Sequence, residues 1–229
     1  MDVLFLSKTL LFRGTTPQEV QSILECLQAE KKHYQKSDVI YHAGDSVTSL
    51  GMVLSGSVSI ENDDLWGNKS ILDRIGPGQV FAETYACVSG EALMVSVVAA
   101  EASDILFMNV SRLLRICPHA CEHHGKLIRN LLTISAQKNL NLSRRIFHTS
   151  SKSIRGRLLS YLSFQAVRQG RRDFTIPFNR QQLADYLCVE RAAMSAELSR
   201  LQKQGLLTTN KNHFILQSVP DDVNADILS

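Results

Sequence analysis

No apolar run in this chain approaches the roughly 18 residues that a membrane-spanning helix needs, so no span is expected. The opening MDVLFLSKTLLFRG places an acid at position 2 and no basic residue ahead of its first apolar ones, and does not read as a secretory signal. Cysteine is scarce and scattered. Cys26, Cys87, Cys117, Cys121 and Cys188 are odd in number and irregular in spacing, which argues against a disulfide framework and for reduced thiols in a cytoplasmic protein. Neither strand–helix–strand alternation nor a glycine-rich phosphate loop is present. Net charge is small, at +3, and neither demands nor excludes nucleic acid; its distribution says more. Eleven Lys or Arg residues and no acid fall between Lys126 and Arg172. Such a block suits a surface facing phosphate, with an ordinary solvated face as the plainer alternative.

What is present falls into successive textures, and 229 residues suit one large or two small domains. Thr15-Thr16-Pro17 opens a helix to about residue 29, with Val20, Ile23, Leu24 and Leu27 on one side and Pro17 where an early helical position tolerates it. From 31 to 110 come short β-prone runs punctuated by glycine, among them Val39-Ile40-Tyr41, Gly51-Met52-Val53-Leu54, Val95-Ser96-Val97-Val98-Ala99 and Ile105-Leu106-Phe107. Regular strand spacing with turn signals predicts a β-sandwich or small barrel. A short helix over 111–116, stopped by Pro118, and a long one over about 120–147 follow. Leu127, Leu131, Ile134, Lys138, Leu142 and Arg145 form a stripe on the long helix, widened by Ile128, Leu132 and Ile146. A stripe of that length predicts a two-stranded seam in a dimer. His148-Thr149-Ser150-Ser151 reads as a polar hinge. Ser151 or Ser153 then caps a helix over 154–169 whose Leu158, Leu159, Leu162 and Ala166 face a core and which Gly170 ends. The tail after Pro220 is acidic and expected to be loose.

The most informative stretch is 178–216. Asn179 precedes a short helix, 180–187, where its side chain can cap free N–H groups. After Cys188-Val189-Glu190 a second helix runs over about 191–204, with Met194, Leu198 and Leu201 on its inner side and Gly205 at its end. A turn this short lets two helices cross, and the second can lie in a DNA major groove. Strand, polar turn and strand from Leu206 to Leu216 then form a wing. A plain helical hairpin is the simpler alternative, but the wing and the outward-facing Arg191, Ser195, Glu197 and Arg200 favour DNA.

Glycine-punctuated β-roll, long helix, winged helix–turn–helix: this order resembles the CRP/FNR family of bacterial transcription regulators. The resemblance is carried by Tyr41-His42-Ala43-Gly44-Asp45, Gly51-Met52-Val53-Leu54-Ser55-Gly56-Ser57-Val58, Ile75-Gly76-Pro77-Gly78-Gln79-Val80-Phe81-Ala82-Glu83 and Leu183-Ala184-Asp185-Tyr186-Leu187, and spans nearly the whole chain. It implies an α+β chain that is not an enzyme. An effector-sensing, cupin-like double-stranded β-helix (jelly roll) would occupy 1–117, a dimerisation helix and hinge 118–149, a DNA-binding domain 150–219 and a tail 220–229. It also implies a homodimer on a palindromic double-stranded DNA operator, a small effector, contact with RNA polymerase, and no cofactor. Arg191 matches the family's arginine at the start of the recognition helix and is expected to read a base, guanine by its two-pronged geometry. Ala192 and Ala196 replace commoner family residues. Glu190, Ser195 and Arg200 are expected at bases or phosphates, and Arg180 and Gln181 at phosphates.

The effector site departs from the cyclic-nucleotide-binding members. Glu83 matches their ribose-binding Glu. Leu93 and Met94 stand where those members carry a phosphate-binding Arg and then Ser or Thr, and Ala82 replaces a usual Gly. No cation lies between Glu91 and Ala100. A buried phosphate without a cation is strongly disfavoured, so cAMP is not expected. Phe81, Tyr85, Leu93, Met94, Val95 and Leu127 suggest an apolar or aromatic effector, or none. Other readings are a cupin-type binding protein or enzyme, which His33 and His42 are too few to support, and a redox or haem sensor using Cys117, His119 and Cys121. Iron–sulfur sensing needs N-terminal cysteines, and only Cys26 lies there. A metal at Cys117–Cys121 with His123 and His124 is opposed by Pro118; the plainer reading there is buried cysteines and exposed histidines.

Overall fold

The computed structural model describes residues 2–63, 69–88, 90–114 and 122–217. The chain divides into two compact units, Met1–Gln137 and Lys138–Ser229.

The first unit opens with helices α1 (Val3–Ser7) and α2 (Pro17–Cys26). Thr16 and Glu19 form a reciprocal capping box at the start of α2, with Pro17 in its first turn. Strands β1 (Glu30–Tyr34), β2 (Val39–Tyr41), β3 (Ser49–Ser55), β4 (Val58–Asp63), β5 (Lys69–Ile75), β6 (Val80–Phe81), β7 (Ser96–Ala99) and β8 (Ser103–Asn109) follow. They form two four-stranded sheets, ordered β1-β8-β3-β6 and β2-β7-β4-β5, with every pairing antiparallel. Helix α3 (Glu83–Cys87) lies between β6 and β7, and α4 (Val110–Leu114) follows β8.

Alternation along the strands builds two cores. Val53, Ile105 and Phe107 of the first sheet join Ile40, Val58 and Val97 of the second in one cluster. Their neighbours Leu50, Met52, Leu106 and Met108 point the other way, into a second cluster with Val20, Ile23, Leu24 and Leu27. Gly51 is required: a Cβ there would overlap the ring of Phe81. This is the expected jelly roll, with the central strands β3 and β8 of one sheet buried on both faces.

Helix α5 (Glu122–Thr149) runs through the division between the units. Leu127 and Leu131 belong to the first unit's core. The second unit holds α6 (Ile154–Gln169), β9 (Asp173–Thr175), α7 (Arg180–Leu187), α8 (Arg191–Lys203), β10 (Leu207–Asn210) and β11 (His213–Leu216). Its strands form one sheet, β10-β11-β9. Ser153 caps α6, and Gly170 ends it at φ +65°. Leu158, Leu162, Leu183, Leu187, Met194, Leu198, Leu201 and Phe214 pack into one core.

Two expectations are revised. The short helix after β8 is described over Val110–Leu114, and the rest of the helix expected over 111–116 lies outside the described residues. His148 is no hinge residue: it is buried, its Nδ1 lies 3.1 Å from Ser160 Oγ, and the rings of Phe147, Tyr161 and Phe164 surround it. His124, expected exposed, is buried as well. Cys117, His119, Cys121 and the tail after Pro220 lie outside the described residues. Among the described residues no cluster of His, Cys, Asp or Glu is arranged to hold a metal ion.

Candidate nucleic-acid interface and effector site

The second unit presents one helix outward. Asn179 and Gln182 form a capping box on α7. Cys188 makes the turn in a left-handed conformation, φ +54°, and α8 begins three residues later. The Glu190 carboxylate accepts the Ala193 N–H at 2.6 Å, and the N–H groups of Ala192 and Ala193 hold its pKa below the usual carboxylate value. Glu190, expected at a base or phosphate, thus caps the recognition helix. Met194, Leu198 and Leu201 are buried, whereas Arg191, Ala192, Ser195, Ala196, Ser199 and Arg200 are exposed. Arg200 pairs with Glu197 at 3.1 Å. Arg191 makes no side-chain hydrogen bond among the described residues.

Arg180 is not free to reach outward. Its Nη2 donates to Thr209 Oγ1 at 2.8 Å, its guanidinium lies 5.2 Å from the centre of the Phe214 ring, and its Nη1 is buried without a partner. The arginine, expected at phosphate, pins α7 to the wing. Gln181, also expected at phosphate, donates to Asp185 on its own helix at 2.8 Å.

The basic block is not one uniform face. Arg145 donates to the carbonyls of Tyr186 at 3.1 Å and Asp185 at 3.0 Å. Arg157 donates to those of Leu187 at 3.1 Å and Cys188 at 2.9 Å, and through Nε to the Ser151 carbonyl at 2.8 Å. Two cations thus cover the carbonyl end of α7, where the helix dipole favours positive charge. Arg155 bonds Gln204, and Lys126 pairs with Glu19.

In the first unit the expected effector residues separate. Phe81 lies in the inter-sheet core, edge-on to Tyr41 and Phe107. Leu127 packs with Leu6 and Leu11 in the other core. Glu83 and Leu93 are buried, Tyr85 and Val95 are partly exposed, and Met94 is 75% exposed. The Met94 N–H donates to the Tyr85 hydroxyl at 3.5 Å. Ala82, just before α3, is left-handed at φ +59°, a conformation glycine adopts without strain.

The family described as "Cyclic nucleotide-binding domain" matches residues 31–119, and "Crp-like helix-turn-helix domain" matches 156–220. The chain belongs to the CRP/FNR family of transcription regulators. It is 28% identical to the cyclic AMP receptor protein of Thermus thermophilus over 204 residues, 86% of this chain and 87% of the relative. It is 24% identical to the cAMP-activated global transcriptional regulator CRP of Haemophilus influenzae over 181 residues, 76% and 78% of the two chains. In structure it resembles the c-di-GMP responsive global regulator CLP of Xanthomonas campestris, with a TM-score of 0.56, 17% identity, and 89% and 100% coverage. As a CRP/FNR regulator the chain is not an enzyme, so the cupin-type catalytic alternative falls.

Within this CRP/FNR chain no Lys or Arg occurs between Arg74 and Arg112. That interval includes α3 and the loop carrying Leu93 and Met94. Arg145 and Arg157 were not singled out from the sequence as contacts to the turn. Their carbonyl acceptors on α7 and its turn lie 30 to 41 residues further along, and no local pattern marks such a pairing.

Proposed function

We propose that this chain works as a homodimeric, sequence-specific regulator in which Arg191 reads a base edge and a small effector other than cAMP acts on the β-roll. The uncommitted Arg191 guanidinium at the start of an exposed recognition helix carries the reading. An arginine there suits guanine O6 and N7, and the small exposed Ala192 and Ala196 leave room for thymine methyl groups. Ser195 and Arg200 flank this face as further base or phosphate contacts. The apolar loop residues Leu93 and Met94 support the exclusion of a cyclic phosphate.

The dimer seam is shifted by one residue from the stripe read in the sequence. Leu127 and Leu131 are used by their own chain, and Ile134 is partly buried against the same core. Outward on α5 stand Ile128, Leu132, Leu142 and Ile146, all exposed. With the polar Ser135 and Asn139 between them they are spaced four, three, four, three and four residues apart, the a/d repeat of a coiled coil. Leu142 is shared by the old stripe and the new seam. Contact with RNA polymerase and a cytoplasmic location belong to the same reading; among the described residues no helix is long and apolar enough to cross a membrane.

Binding-site selection on the unaltered protein and Arg191→Ala tests the DNA reading. The substitution should cost about 1–3 kcal/mol and flatten preference at one symmetric pair of operator positions. Full retention of sequence preference would show that another face reads the DNA.

A further inference from the structure

The second unit also carries a cleft that DNA reading does not use. About 260 Å³ lies between the end of α5, the middle of α6 and the segment that leads through α7. Phe164, Phe178 and Tyr186 supply aromatic walls, with the rings of Phe178 and Tyr186 centred 5.1 Å apart. Tyr161 also lines the cleft. It is 1% exposed, and burial raises the pKa of its hydroxyl.

Two cations flank these rings. The Arg144 guanidinium lies 5.8 Å from the centre of the Phe164 ring and bonds the neutral Asn141 at 3.2 Å. Arg168 is exposed and makes no hydrogen bond or ion pair to a described residue. None of the lining residues is acidic. Flat apolar walls and guanidinium groups with no acid among the lining residues complement a flat ring bearing negative charge. The volume is just below the ~300–1,000 Å³ of sites for drug-sized ligands, which suits one ring system rather than a dinucleotide.

We propose that this cleft binds a single-ring aromatic carboxylate, its ring packed among Phe164, Phe178 and Tyr186 and its charge met by Arg144 and Arg168. The site is separate from the β-roll and from the face of α8, and its test reads ligand binding directly, so it stands or falls apart from the DNA reading.

The test titrates the full chain with benzoate, cyclohexanecarboxylate and inorganic phosphate by calorimetry. Benzoate should bind at or below millimolar concentration, and cyclohexanecarboxylate about five-fold more weakly for want of aromatic stacking. Phosphate should not compete. Arg144→Gln with Arg168→Gln should weaken benzoate at least about ten-fold. Absence of benzoate binding, equal binding of phosphate, or benzoate affinity untouched by the double substitution would each overturn the proposal. If the double variant unfolds, intermolecular NOEs from benzoate to the Phe164 and Tyr186 rings of the unaltered protein decide: their presence sustains the site and their absence removes it.

Discussion

Leu131 and Leu132 are neighbours on α5, yet they should fail in opposite ways. Leu131 is 5% exposed in the first unit's core, whereas Leu132 is 68% exposed on the proposed seam. Truncating a buried leucine to alanine removes about 2–5 kcal/mol through lost transfer energy and the cavity left behind. Leu131→Ala should therefore lower the unfolding free energy by that order at any protein concentration. Leu132→Ala should leave an isolated protomer nearly unchanged. Complete burial of a leucine is worth about 1.5–3 kcal/mol, so covering the two thirds of Leu132 that is exposed contributes about 1–2 kcal/mol. A two-fold seam contains the residue twice, which gives about 2–4 kcal/mol, or roughly 30- to 1,000-fold in the dimer dissociation constant. Sedimentation over a concentration series reads the second effect, and urea unfolding at fixed concentration reads the first. An unchanged dimer in Leu132→Ala, or a Leu131→Ala variant that loses only its dimer, would refute the placement of the seam.

Calorimetry should detect no cAMP or cGMP binding at millimolar ligand, since no cation accompanies Leu93 and Met94; micromolar affinity for either would overturn that reading. Arg180→Ala should cost about 1–3 kcal/mol in urea unfolding through the lost bond to Thr209 and packing on Phe214. Its base preferences should survive; a change in selected sequence would return Arg180 to the DNA face. Burial holds the His148 imidazole below its ordinary pKa of 6.5, so the unfolded chain takes up a proton more readily than the folded one. Stability from this group is complete above about pH 6.5 and falls as pH drops below it. His148→Phe should flatten the pH dependence of unfolding on the acid side, and an unaltered profile would acquit His148.

The reading unit was the most legible part of the sequence because its signals are local. Asn179, Cys188-Val189-Glu190 and Gly205 mark ends and turns within a few residues of the helices they bound. The roll was legible for a related reason: glycine and alternating apolar residues act over the length of one strand. Side-chain contacts were less legible. Glu190 looks like a free charge although the N–H that it caps is only three residues on, because the sequence does not show that its carboxylate turns back on its own helix. Arg180 looks like a phosphate contact until the wing folds back and offers Thr209 and Phe214. The α5 stripe as read includes Leu127 and Leu131, which the roll buries, because apolar residues ring much of that helix and periodicity alone does not say which side its own roll will claim. His148 reads as polar in a sequence, but an imidazole ring can pack among aromatic rings as an apolar disc.

The arginine caps on the carbonyl end of α7 have a mechanical consequence. A linker of glycine and serine would let the reading head swivel on the end of α5. Here Arg145, inside that helix, is bonded to the first segment of the head, so the end of α5 is keyed to the head like a shaft to a gear. A rotation of the end of α5 about its own axis is then passed to α7 through those bonds. One residue inserted between Lys138 and Arg145 would turn that key by about 100°, and the chain would have either to shear the carbonyl bonds or to turn α7 along with Arg145.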